Sequence, residues 1–310
     1  MAAAATEPAA RRFMIGEQHL TAPRAAPGLH LVATPIGNLG DITLRALQTL
    51  AGVDIIACED TRVTRRLTER YGIAATLRPY HEHNAATARP KILQWLAEGA
   101  AIALVSDAGT PLISDPGFKL VREACAAGHS VMALPGPSSV LTALTLAALP
   151  TDRFFFEGFL PSKAGARRQR LAELATIPAT LVMFESGNRL QDTLIDLAAA
   201  MGGREAAICR ELTKLHEEVT RGALDVLAGE AEALETRGEF VLVVGPPPAD
   251  ADVMAPDHLD DLLRETLAQH SVKDAVALAV KASGRPRRDV YARALDIAQR
   301  QRGQSDDDEA

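Results

Sequence analysis

From Leu29 onward, short apolar runs alternate with longer stretches of helical spacing. "LHLVAT", "DIIAC", "TLRPY", "AIALV" and "SVMAL" are brief, apolar and often β-branched. That is the pattern of strands buried in a parallel sheet. Between them, "TLRALQTLAG", "TRVTRRLTERYG", "ATARPKILQWLAEG" and "GFKLVREACAAG" have helical patterning, and each stops at a glycine suited to a helix C-terminus. Proline fits a first helical turn, so Pro90 sets the expected start of the third of these helices. The alternation is βαβ grammar and predicts a parallel sheet with helices on its faces. One more helix is expected after "PGPSS", over Val140 to Ala148, before "LPTDR" breaks the pattern.

The second half has a different texture. "FFFEGFL", "ATLVMFE", "EAAICREL", "HEEVTRG" and "EFVLVVG" are strand-like and alternate with fewer helices, among them "RLQDTLIDLAAAMGG". This mixture predicts a second α/β domain with a mixed sheet. "PPPADADVMAPD" has the composition of a linker. Beyond it, "HLDDLLRETLAQH" and "SVKDAVALAVKASGRPRRDVYARALDIAQR" predict three short helices. The expected organisation is a disordered Ala/Pro-rich segment over 1–28, an α/β domain over 29–149 and a second over 150–246. A linker over 247–257, a helical segment over 258–302 and an acidic tail over 303–310 complete it.

Composition narrows the class. With 33 Lys and Arg against 40 Asp and Glu, the formal charge of −7 gives no global attraction to a polyanion. The basic charge is local, in "SKAGARRQR" (Ser162 to Arg170) and "KASGRPRRDVYARAL" (Lys281 to Leu295). No apolar run approaches the roughly 20 residues that span a bilayer. The first residues are not read as a signal peptide, because Arg11 and Arg12 follow the alanines and no apolar core follows them. Cys58, Cys125 and Cys209 are far apart in apolar segments, so all three are expected to be buried thiols in a reducing cytoplasm.

In an open parallel sheet, ligands bind beyond the carboxyl ends of the strands. The five loops leaving those ends are "TPIGNLGDIT", "EDTRVT", "HEHN", "SDAGTPLISDPG" and "PGPSS". All are polar and rich in turn residues, and they converge on one edge, which predicts a functional cleft. The loop after "AIALV" is unusually long and carries two glycines, two prolines and two aspartates between Val105 and Gly117. Neither GxGxxG nor GxxxxGK[ST] follows any strand, which argues against a Rossmann dinucleotide enzyme and a P-loop NTPase. His81 and His83 flank Glu82, but no third ligand cluster accompanies them, so no metal site is expected.

"VATPIGNLGDITLRAL", "EDTRVTRRL", "SDAGTPLISDPG", "PGPSS" and "ELTKLHEE" together resemble the tetrapyrrole-methylase superfamily. More narrowly, they resemble its RNA branch, the ribosomal RNA small subunit methyltransferase I family. The resemblance covers about Leu29 to Gly245 and continues weakly into the C-terminal basic run. One departure is "FESGNRL", where Gly187 and Asn188 stand in place of the family's more usual Pro-His, leaving Arg189 as the polar group.

The resemblance implies two α/β domains, a homodimer, and S-adenosylmethionine in the cleft between the domains. It also implies methyl transfer to the ribose 2′-hydroxyl of a decoding-site cytidine in 16S rRNA of the small subunit. By similarity, Pro35, Ile36, Asp107, Ala108, Gly109, Leu112, Ser138, Ser139, Glu185, Leu212 and Gly238 are expected to hold the cofactor. Prolines and glycines in the long loop would stiffen it and let its free N–H and C=O groups clasp the ligand. Glu59 is the expected proton acceptor, with Lys214 its rival and Asp60 the cap of the next helix. Arg62, Arg65, Arg66, Lys163, Arg167, Arg168 and Arg189 are the candidate RNA contacts. Alternatives are tetrapyrrole or diphthine-type methylation by the same superfamily, or a non-catalytic RNA-binding module.

Overall fold

The structure is a computed structural model that describes residues 11–248, 256–283 and 287–307. The chain divides into two compact units, residues 1–245 and 246–310.

The first described element corrects an expectation. Strands β1 (Arg12–Ile15) and β2 (Gln18–Thr21) pair antiparallel as a hairpin within the segment expected to be disordered. Phe13 is buried in the apolar cluster of the first sheet. The Met14 amide donates to Tyr71 O at 2.8 Å. Arg11 donates to the carbonyls of Gly52 and Val53 and to Asp54, which Arg24 also engages at 2.9 Å. One buried ring and two paired arginines outweigh the Ala/Pro composition. Residues 1–10 lie outside the described residues.

The parallel sheet forms as expected. Its strands are β3 (Gly28–Val32), β4 (Ile55–Cys58), β5 (Thr76–Pro79), β6 (Ala101–Val105) and β7 (Val131–Leu134), in the order β5-β4-β6-β3-β7. Every neighbouring pair is parallel. β6 is buried along its whole length, which is why its sequence is uniformly apolar. Helices α1 (Leu44–Gly52), α2 (Thr61–Arg70), α3 (Ala85–Ala97), α4 (Phe118–Ala126) and α5 (Ser139–Ala147) connect or follow these strands. α3 starts ahead of Pro90, because the carbonyls of His81 and Asn84 accept the amides of its first turn. Cys125 is exposed on α4, whereas Cys58 and Cys209 are buried as expected.

The second sheet comprises β8 (Phe154–Phe159), β9 (Thr180–Ser186), β10 (Glu205–Arg210), β11 (Glu218–Ala223) and β12 (Glu239–Val244), in the order β11-β10-β12-β9-β8. Only β8 and β9 pair in parallel, so the sheet is mixed. Helices α6 (Ala164–Leu174), α7 (Leu190–Met201) and α8 (Leu224–Gly229) supply leucines to its main core.

α6 carries the basic run "SKAGARRQR" and corrects a second expectation. Arg167 shares the inner face with Leu171 and Leu174 and is only 4% exposed. Its Nε donates to Asp196 Oδ2 on α7 at 2.7 Å, while Arg168 Nε donates to Oδ1 at 2.8 Å. Arg167 is therefore a buried ion-pair member and not an RNA contact. Lys163 and Arg168 remain exposed.

The second unit contains α9 (Pro256–Leu267), α10 (Val272–Ser283) and α11 (Arg287–Asp307). They close on a core that includes Leu263, Val276, Ala279 and Val290. α11 continues to Asp307, so part of the expected acidic tail is helix, while 308–310 lie outside the described residues. Most of the expected linker, 249–255, also lies outside them.

The ion pair yields a prediction. Arg167→Ala leaves Asp196 buried with one partner fewer and should lower unfolding free energy by about 3 kcal/mol. Arg168→Ala, whose side chain is 70% exposed, should cost less than about 1 kcal/mol. Urea unfolding of both variants checks the ordering.

Candidate active site

The site begins where β3 and β6 leave the sheet side by side. Thr34 and Gly109 exchange two backbone hydrogen bonds, Thr34 N to Gly109 O at 2.9 Å and Gly109 N to Thr34 O at 3.0 Å. Thr34 Oγ1 donates to Ser106 O, and Ser106 Oγ donates to the carbonyls of Ala108 and Gly109. Gly109 takes φ +78°, a left-handed bend. Leu112 and Ser114, which are not glycines, also take positive φ, at 74° and 61°. Such conformations cost of order 1–3 kcal/mol each and persist only where surroundings hold them. The loop is preformed, as its prolines and glycines predict. However, Gly109 has both backbone polar groups bound to Thr34, so it contributes shape and not free amides.

This loop forms one wall of a cavity of about 320 Å³. The start of α5 contributes Ser138, Ser139 and Val140, the second sheet contributes Phe159, Phe184 and residues 238–241, and Ile36 and Leu212 close it. Eight expected cofactor residues line the cavity: Ile36, Ala108, Gly109, Ser138, Ser139, Glu185, Leu212 and Gly238. Pro35, Asp107 and Leu112 do not. Pro35 is buried beside the Thr34 bridge, Leu112 packs into the apolar cluster around β6, and Asp107 turns toward α2. Ser138 caps α5 by accepting from Leu141 N. Glu185 is 3% exposed, and its carboxylate accepts from Thr193 Oγ1 at 2.6 Å and Ser186 N at 2.7 Å.

The loop after β10 braces the opposite side. Glu211 and Thr213 have positive φ, and Thr213 Oγ1 accepts from Asn38 N at 3.1 Å. A Cβ on Gly37 would stand 2.5 Å from Lys214 Cγ, so the two loops are in close contact. Lys214 Nζ donates to Glu211 Oε1 and Glu239 Oε2, both at 2.8 Å. Partial burial works to lower its pKa, but those two carboxylates outweigh burial and raise it. Lys214 therefore holds its proton and braces the loop. This geometry does not make it a base.

An acidic corner adjoins the cavity. Cys58 at the end of β4 pairs with Pro79 on β5 and Val105 on β6. The residues just beyond, Glu59, His81 and Asp107, therefore emerge together. Asp107 Oδ1 accepts from Asp60 N at 3.0 Å. Asp60 caps α2 by accepting from Arg62 N at 2.8 Å, and the Arg62 guanidinium folds back on the same carboxylate. Burial, then the charge of Asp107, raises the pKa of Glu59. Asp115 lies in the cavity wall, and burial followed by the charge of Glu59 pushes its pKa up to about 6. His81 Nδ1 is buried without a hydrogen-bond partner.

Asp115 was visible in the sequence only as half of an Asp-Pro stiffener. Its place in the cavity comes from the positive-φ turn at Ser114, which periodicity does not reveal. Of the expected RNA contacts, Arg65 and Arg66 are exposed on α2, and Arg62 is exposed but paired with Asp60. Arg189 points inward, with Nη2 donating to the carbonyls of Leu160 and Pro161.

The raised pKa of Asp115 makes a prediction about stability. An unfolded aspartate ionises near pH 4. The folded group retains its proton to about pH 6, so its stabilising effect is present below pH 4 and is lost as pH rises to about 6. Asp115→Asn removes that loss. The variant should gain melting temperature relative to the parent at pH 8, with the gain vanishing near pH 4, in paired thermal melts.

Comparison with known proteins gives this site its setting. The family of tetrapyrrole (corrin/porphyrin) methylases matches residues 28–228. The RsmI C-terminal HTH domain matches residues 253–298. The ribosomal RNA small subunit methyltransferase I of Mesorhizobium japonicum is 50% identical over 286 residues, covering 92% of this chain and 97% of that protein. The protein of the same name from Escherichia coli O157:H7 is 44% identical, covering 90% and 99%. Among solved structures, uroporphyrin-III C-methyltransferase from Thermus thermophilus, complexed with S-adenosyl homocysteine, shares the fold at TM-score 0.50. It is 19% identical, covering 70% of this chain and 97% of that one. The chain belongs to the ribosomal RNA small subunit methyltransferase I family of tetrapyrrole methylases and is an S-adenosylmethionine-dependent methyltransferase.

Proposed function

We propose that the chain transfers a methyl group from S-adenosylmethionine to the ribose 2′-hydroxyl of a decoding-site cytidine in 16S rRNA, acting on the small subunit as a cytoplasmic homodimer. The observation that carries this reading is the juxtaposition of the preformed cavity with a carboxylate corner, from which α2 runs on with Arg65 and Arg66 exposed. Its relatives' name supplies the substrate class. Tetrapyrrole or diphthine-type methylation is less well supported, because the relatives named for rRNA match nearly the whole chain.

The cavity fits the cofactor on its own chemistry. Ile36, Val140, Leu212 and Val241 offer apolar surface for a flat ring, while the amide end of α5 at Ser138 and Ser139 suits a carboxylate. Bound there, the cofactor supplies an electrophilic methyl carbon on a sulfonium. The chain's own tasks are to align the ribose oxygen with that carbon and to accept the hydroxyl proton. Glu59 is the acceptor in this reading. Its raised pKa strengthens it as a base, and burial followed by the charge of Asp107 maintains the shift. RNA phosphates rest on Arg65, Arg66, Lys163 and Arg168.

The function is tested by incubating the chain with small ribosomal subunits and methyl-labelled cofactor, then mapping the modified nucleotide. Label on a base, or on protein, sinks the ribose assignment. Glu59→Gln should slow single-turnover transfer by roughly 10²-fold while calorimetry finds cofactor affinity nearly unchanged.

The RNA surface gives a separate prediction. The double variant Arg65→Ala with Arg66→Ala should weaken binding to small subunits and flatten its salt dependence by about 0.7–0.9 log unit per lost phosphate contact. Cofactor binding should be unaffected. A slope equal to the parent's removes α2 from the RNA surface.

A further inference from the structure

Strand β8 contains an irregularity that its phenylalanine-rich sequence conceals. Phe154, Phe155 and Phe156 pair in sequence with Thr180, Leu181 and Val182 of β9. The next pair is Gly158 with Met183, so Glu157 is an inserted residue. Had the register run on, with Glu157 opposite Met183, Phe159 would oppose Glu185 and share a face with Leu181 and Met183, which pack in the main core of the second sheet. A one-residue insertion moves every later side chain to the other face. Phe159 therefore opposes Phe184 and lines the cavity.

The bulge is secured on both sides. Glu157 is held by a two-pronged ion pair, with Arg170 Nε and Nη2 each 2.7 Å from its oxygens. Gly158 takes φ +76°, and a Cβ there would stand 3.0 Å from Ser114 Oγ, so only glycine lets the strand approach the β6 loop. The result is an aromatic ring kept in the open. Phe159 is 57% exposed although it meets Phe184 edge-to-face at 5.5 Å and 61°. Ile113, across the same cavity, is 43% exposed. Three larger apolar members of the wall are covered: Ile36 is 8% exposed, Leu212 6% and Phe240 3%. The cavity thus has a buried apolar end and an exposed apolar rim.

We propose that Phe159, backed by Phe184 and faced by Ile113, is the stacking platform that holds the unpaired target base of the RNA while its ribose is methylated. This rests on the rRNA reading above. A ribose inside a folded RNA reaches an enclosed site when its nucleotide is drawn out of the stack, and extruded bases are held on aromatic faces. A ring at the exposed rim suits a ligand that arrives on a polymer, whereas the covered end suits the small cofactor. Stacking does not distinguish one base from another. Phe159 is consequently a positioning residue, and selection of the nucleotide lies elsewhere.

The test uses the full chain with small ribosomal subunits and labelled cofactor. Phe159→Ala should lower kcat/KM for subunits about 10- to 100-fold, the scale of losing one base–aromatic stack. Phe159→Tyr and Phe159→Trp should restore it to within about 3-fold, and Phe159→Leu, which keeps apolar area but no π-face, should not. Cofactor affinity by calorimetry should be the same in all four. Three results overturn the platform: unchanged kcat/KM in Phe159→Ala, full rescue by leucine, or a parallel loss of cofactor affinity that places the ring over the cofactor. If the parent chain itself fails to methylate small subunits, the rRNA reading falls and takes the platform with it.

Discussion

The pair of backbone hydrogen bonds between Thr34 and Gly109 is the constraint on which the site depends. It lies just past the sheet, where β3 and β6 would otherwise diverge. By fixing the exits together it sets where Ile36 and the 106–115 loop can run. The left-handed turns at Gly109, Leu112 and Ser114 follow from that path. Non-glycine residues in such conformations imply that the surroundings over-determine the loop. A loop built this way is already ordered when ligand arrives, so little binding energy goes to ordering it. The Glu211 and Thr213 turns, clamped by Lys214, give the opposite wall the same character.

The acidic corner depends on sheet order rather than on any single motif. Placing β6 between β4 and β3 brings Glu59 and Asp107 out on neighbouring strands, with His81 one strand further. The pKa is raised at all three carboxylates here: Asp107 acts on Glu59, Glu59 and Asp107 act on Asp115, and Asp60 acts on Asp107. In each case burial is the larger cause. Asp60 engages the Arg62 guanidinium; Arg62 still lowers the pKa of Asp107, while the charge of Asp60 adds to the raising of Glu59. The capping aspartate thus has an electrostatic consequence: it keeps a nearby cation occupied and leaves Glu59 basic.

Much of this was legible in the sequence where period and burial coincide. The continuous apolar run of β6 and the glycine-terminated helices specified the parallel sheet, and the loops at its carboxyl edge marked the cavity. Eight of the residues that the motif resemblance assigns to the cofactor line it. What escaped depends on single residues acting at long range. The hairpin at 12–21 is anchored by Phe13, Arg11 and Arg24 against elements 30 or more residues away, which local composition cannot register. Arg167 belongs to a basic run by count, yet helical spacing puts it on the face of Leu171 and Leu174, opposite Asp196. Phe159 looked like part of an ordinary strand because a bulge leaves no mark on composition.

The departure at Gly187 has a steric basis. A Cβ on Gly187 would fall 1.5 Å from Thr236 O, so the turn before β12 lies directly on this residue. Proline at 187 would require that turn to move, and it leads into Gly238, a residue of the cavity wall with φ +114°. Glycine here and the close turn are therefore one adaptation. Arg189, two residues on, sits 3.4 Å from Glu185 Oε1 through its Nε and donates through Nη2 to Leu160 and Pro161. It bridges a carboxylate of the cavity wall to the chain immediately after Phe159. In this chain the segment that departs from the family pattern turns Arg189 onto the protein's own backbone. It fixes the exit of β8, and with it the direction in which the exposed ring at the cavity rim can face.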